Sequence, residues 1–223
     1  MRSRGDYFSK DMRLWGDAAG ANLAAITTPF RRAQGRISLS SMLGVVPVGG
    51  VVELAEEVYY LHCNLTVPSD DVLLVGKGLK TVVKVMGAYT LTWSGDRGAI
   101  RNVYFQYGAG ARVPRVGGGY FLEVSGDRFE LDRTWFKDFS NAVHVQAGAD
   151  NARLLHSRAE DQLGAGFLGE GTDCLMFDLE ATRGAVASEI SSNGARGWVG
   201  ACRCIGGGIL VAGAGSVDAG NFV

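Results

Sequence analysis

The chain has no excess of charge of either sign: 22 basic side chains oppose 23 acidic ones, for a formal charge of −1. Binding to nucleic acid or to an anionic membrane surface needs a basic patch or stripe, so neither partner is expected. No run of 18 or more apolar residues is present, so no helix is expected to span a bilayer. The opening stretch, MRSRGDYFSKDMR, lacks the apolar core of a signal peptide, and synthesis in a cytosol is the expectation. Proline is scarce, at 4 residues, and no collagen triplet occurs. Cysteine is also sparse: Cys63, Cys174, Cys202 and Cys204 do not form the framework of a small secreted domain. They read as free thiols in a wall of strands, with disulfide cross-linking between subunits as the alternative. With His62, His144 and His156 as the only histidines, no metal site and no cofactor are expected.

What the chain has in abundance is glycine, 33 of 223 residues and about twice the ordinary share. Glycine-centred turns recur at Gly95, Gly126, Gly148, Gly171, Gly194 and Gly215, at intervals of 31, 22, 23, 23 and 21 residues. β-prone runs flank each turn, a pattern that predicts a solenoid whose coils stack on their neighbours. Glycine at such turns is expected to supply positive φ. The one long interval contains GAGARVPRVGGG, residues 108–119, which reads as an insertion between strands and as the contact element the fold does not require.

Residues 1–36 lack the repeat. A weakly helical stretch, 17–26, precedes Pro29, and Arg31 and Arg32 make the segment locally basic. It reads as an arm that attaches the protein to something else, leaving residues 37–223 as the solenoid domain. Residues 37–50 predict a short amphipathic helix ending near Gly44, a cap on the first open end. From Val51 onward, strands of three to five residues separated by turns fit a coil of three sheets better than a two-sheet sandwich, with seven or eight rungs.

VPVGGVVEL at 46–54, Tyr59 and Tyr60, LTVPS at 65–69 and VLLVGKG at 72–78 carry a resemblance. They resemble the opening of a right-handed parallel β-helix of the pectate-lyase superfamily, in the branch that includes phage tailspikes and other virion appendages. The departure is AEEV at 55–58, where that pattern has proline and glycine. The resemblance implies an all-β parallel β-helix and, for viral members, a homotrimer made without a signal peptide.

Superfamily enzymes use clustered carboxylates on an outer sheet. The period places Asp96, Asp127, Asp150 and Asp173 in one column, with Asp127, Asp150 and Asp173 as weak catalytic candidates; aspartate is also a turn former, which is the favoured reading. Asp138 and Asp161, 23 apart, form a second column with Lys137, Arg158 and Glu160 around it. His144 and His156, 12 apart, belong on different sheets. Trp93, Trp135, Trp198, Tyr104, Tyr107 and Tyr120 are candidates to line a glycan groove. Arg112, Arg115 and Trp135 are the binding candidates, and Arg31 and Arg32 the attachment candidates.

The leading expectation is a structural virion protein: a β-helical spike or decoration subunit, trimeric, attached to capsid or tail proteins through residues 1–36, and not an enzyme. The chain stops mid-repeat at DAGNFV without a capping helix, which favours an assembly part. The alternatives are a tailspike-like polysaccharide depolymerase or lyase and a non-catalytic module that binds surface glycan.

Overall fold

The computed structural model describes residues 12–15, 37–108, 119–183 and 189–222. The helical stretch 17–26, Arg31, Arg32, Arg112 and Arg115 lie outside these residues. The chain is a parallel β-helix: each coil contributes one strand to each of three sheets, and each sheet pairs equivalent strands of successive coils. The first sheet runs Val51–Leu54, Leu73–Val75, Ala99–Arg101, Glu130–Asp132, Arg153–Leu155, Leu175–Phe177, Trp198–Gly200 and Val217–Ala219. The second runs Val58–Leu61, Val82–Val85, Tyr104–Tyr107, Trp135–Lys137, Arg158–Gln162, Glu180–Arg183 and Arg203–Ile205. The third runs Leu65–Val67, Leu91–Trp93, Leu122–Val124, Val143–Val145, Ala165–Gly169, Glu189–Ser192 and Gly208–Val211. These make seven complete coils, each advancing about 4.8 Å.

The strands are short because each buries only one or two side chains before the corner. Leu122-Glu123-Val124 and Val143-His144-Val145 show the rule: the outer two side chains point inward and are fully buried, and the middle one points out. Inside, side chains of neighbouring coils interlock. Phe105 and Phe136 of the second sheet stack at 5.5 Å, Phe121 lies on Phe139 at 4.5 Å, and Phe136 meets Phe167 edge-on at 6.3 Å. The second-sheet column then shrinks to Ala159, Ala181 and Cys204, all fully buried, where Phe167 and Ile190 of the third sheet fill the interior. Such volume compensation keeps density at the level of organic crystals.

The first end is covered on all three sheets. Met12–Trp15 pairs antiparallel with Val51–Leu54, Ile37–Ser38 pairs with Val58–Leu61, and the single-turn helix Ser40–Leu43 lies beside Leu65–Val67. Leu39, Met42 and Leu43 are buried there, so the helix expected near Gly44 seals the core as a cap. The insertion sits at the corner between the second and third sheets, where the connection runs from Tyr107 to Leu122.

The corner between the third and first sheets holds the repeated turn. Its aligned triplets are Ser69-Asp70-Asp71, Gly95-Asp96-Arg97, Gly126-Asp127-Arg128, Ala149-Asp150-Asn151, Gly171-Thr172-Asp173 and Gly194-Ala195-Arg196. Two expected markers therefore move. Gly148 gives way to Ala149, because the residues after Val145 include two more than those after Val124, and Gly213 rather than Gly215 continues the glycine column. The role of the column glycine also differs from expectation, although Gly148 and Gly215, the two markers outside the column, do supply positive φ, at 96° and 72°. Positive φ falls two residues later, on Asp71, Arg97, Arg128, Asn151, Asp173 and Arg196, at 54° to 60°. At Gly95, Gly126, Gly171 and Gly194 the reason is close approach: a Cβ would collide with the carbonyl oxygen of Ser69, Gly95, Ala149 or Gly171 in the preceding coil.

Candidate functional site

The acidic column sits at that corner, and its carboxylates bond the backbone of the next coil. Asp70 Oδ1 accepts the N–H of Asp96 at 2.9 Å, Asp96 Oδ1 that of Asp127 at 2.9 Å, Asp127 Oδ1 that of Asp150 at 2.9 Å, and Asp150 Oδ1 that of Thr172 at 2.8 Å. The column is thus Asp70, Asp96, Asp127, Asp150, Thr172. Asp173 is one residue out of it, because the coil shifts by one position at Thr172, and it belongs to the adjoining positive-φ column. There Arg196 forks onto Asp173 with 2.8 and 2.6 Å bonds, as Arg97 forks onto Asp71 at 2.7 and 2.8 Å. These guanidinium bonds hold both carboxyls below their ordinary range. The bonding is that of a turn former repeated coil after coil.

A second cluster lies on the outer face of the third sheet, where Leu122-Glu123-Val124 and Val143-His144-Val145 pair in register. His144 Nδ1 is 2.8 Å from Glu123 Oε2, and Nε2 is 3.0 Å from Glu170 Oε2, just past the strand of the next coil. Gln146 Nε2 donates to the same Glu123 oxygen at 3.0 Å, and the Tyr120 ring lies 4.9 Å from the imidazole. Burial is the strongest influence on both Glu123 and His144 and opposes their charges, but the bonds between them, with those of Gln146 and Glu170, outweigh it. Glu123 is held below its ordinary value and His144 above its own. This cluster was missed in the sequence. The signal was there: both runs read apolar, polar, apolar, and superposing them puts His144 on Glu123.

The other candidates scatter. His156 is at the corner between the first and second sheets, with Nδ1 2.8 Å from Asp132 Oδ1, so the two histidines do occupy different places in the coil. Trp93 is fully buried in the core, Trp198 stacks on Phe177 at 5.6 Å outside the first sheet, and Trp135 lies outside the second. The six aromatics therefore do not line one groove; among them only Tyr104 and Trp135 are register neighbours. Beside them Asp138 and Asp161 share a corner column, both with positive φ, and Lys137 Nζ lies 3.9 Å from Glu160 and 3.8 Å from Asp161. Burial, then the carboxylates of Glu160, Asp138 and Asp161, push the Tyr104 phenol up.

All four cysteines are free. Cys174, Cys202 and Cys204 are fully buried, and burial pushes the Cys174 thiol up to about 12 and the Cys202 thiol to about 11. A cross-link between subunits is out of their reach; Cys63 alone is exposed.

No protein-family model matches the sequence, and no curated protein matches it. A solved structure does: a mutant pectin methylesterase in complex with a hexasaccharide, at 13% identity and a TM-score of 0.50. What the two share is the fold. The match covers 78% of this chain and spans 61% of that one, and it makes the protein similar in fold to a carbohydrate-active enzyme of the parallel β-helix type.

Proposed function

We propose that this protein is a structural subunit of a virus particle, a β-helical spike or decoration element that assembles as a homotrimer and attaches to capsid or tail proteins through residues 1–36. The observation supporting a mechanical part is the acidic column. Asp96, Asp127 and Asp150, the carboxylates best placed by the period for chemistry, each bind the backbone of the following coil. A carboxylate used in this way ties coils together and is poorly suited to serve as an acid or base, whose proton must be free to move. The likeness of residues 46–78 to virion appendages supports the particle assignment.

The test is the mass in solution. Sedimentation equilibrium on the purified chain is expected to give three times 23.6 kDa, and replacing Arg31 and Arg32 with alanine is expected to leave that mass intact while lowering recovery on particles. A monomer at micromolar concentration, or new reducing ends released from host surface glycan, would overturn the proposal.

A further inference from the structure

The cluster at His144 joins three consecutive coils through one imidazole. Glu123 belongs to the third coil, His144 to the fourth and Glu170 to the fifth, and both ring nitrogens face carboxylate oxygens, at 2.8 and 3.0 Å. A neutral imidazole has a single N–H. It can donate to one carboxylate only and must set its lone pair against the other, whereas imidazolium donates to both. Among the described residues, the charged groups facing the ring from the flanking coils are Glu123 and Glu170. Gln146, two residues along the chain, donates to Glu123, and Tyr120 adds its ring against the imidazole. The N–H of Tyr120 reaches Glu123 Oε1 at 3.3 Å, so the cluster also holds the residue where the 108–119 insertion rejoins the sheet.

We propose that Glu123, His144 and Glu170 form a proton-operated clasp, which locks the third, fourth and fifth coils and the root of the insertion while the imidazole is charged and loosens when it is neutral. The charge directions agree. His144 is held above 6.5, so its contribution is complete below that pH and is lost as pH rises through the raised value. Glu123 is held below 4.5, so its contribution is complete above that pH and is lost as pH falls through the lowered value. The clasp is closed between those limits and opens on the alkaline side first under ordinary conditions. Because the third-sheet face is outward, opening releases the Tyr120 N–H from Glu123 without melting the core.

Two measurements on the full chain decide it. In a proton NMR titration, the His144 imidazole is expected to titrate above 6.5. Hydrogen-exchange protection of residues 120–124 and 165–170, taken relative to Arg153–Leu155, is expected to fall roughly three- to tenfold as the imidazole loses its proton. In His144→Gln the same ratio is expected to be low at every pH and flat. If that variant does not fold, His62→Gln and His156→Gln assign the titration by elimination, and the native chain alone gives both readouts. A His144 that titrates at or below 6.5, or a protection ratio unchanged up to pH 9, overturns the clasp.

Discussion

Two corners of the same coil solve the same backbone problem with different degrees of sequence constraint. Both turn the chain with one residue of positive φ, and in both the N–H of that residue donates to a carbonyl of the next coil. At the third-to-first corner Arg97 bonds Asp127 at 2.7 Å and Arg128 bonds Asp150 at 2.8 Å; at the first-to-second corner Asn102 bonds Asp132 at 3.1 Å and His156 bonds Phe177 at 3.0 Å. The first of these corners also brings backbone against backbone at Gly95, Gly126, Gly171 and Gly194, which excludes a Cβ in those coils though Ser69 and Ala149 hold the same place in two others, and it adds the carboxylate ladder. The second asks only for positive φ, and five residue types meet it: Asn102, Arg133, His156, Asp178 and Ala201. Steric exclusion therefore writes a pattern into the sequence, whereas a tolerable strain of about 1–2 kcal/mol per residue does not.

The comparison can be broken most sharply at Gly126. Gly126→Ala sets a methyl group against the Gly95 carbonyl and is expected to cost about 3 kcal/mol or more, read as a lowered denaturation midpoint in urea; a cost below that of an ordinary surface change would undo the close-approach argument. Asp127→Ala removes the acceptor of the Asp150 N–H and is expected to cost about 1–2 kcal/mol in the same assay, with Asp127→Asn recovering most of it because an amide oxygen remains. At the other corner Ala201→Gly is expected to stabilise by about 1 kcal/mol, since glycine accepts φ of 52° without strain. Arg97→Ala, which removes an exposed fork on Asp71, is expected to leave the urea midpoint unmoved within error, and a clear loss would show that the ion-pair column matters more than its exposure implies.

The period, the three sheets, the insertion and the cap at Ser40–Leu43 were all legible, because each follows from where glycine, turn residues and apolar alternation must fall. Lines drawn through the period were less secure. Two residues added after Val145 moved the true column from Gly148 to Ala149, and a one-position shift put Thr172 where Asp173 was expected. Trp93 illustrates a different limit. Its place in the alternation of Leu91-Thr92-Trp93 points it inward, yet a tryptophan beside polar residues also suits a groove, and only the packing against Phe129 at 5.5 Å decides. His144 escaped because the marker glycines Gly126 and Gly148 are 22 apart whereas Glu123 and His144 are 21 apart, so counting by the markers sets Val145 rather than His144 on Glu123.

The link from Tyr107 to Leu122 covers fourteen residues, against five between Lys137 and Val143 one coil on, and the strands on either side keep their register across it. A coil can thus gain length at this corner with no penalty to the pairing of its neighbours. The same site would accept a foreign peptide in place of residues 109–118, displayed beside a rigid rod at a fixed height along its axis.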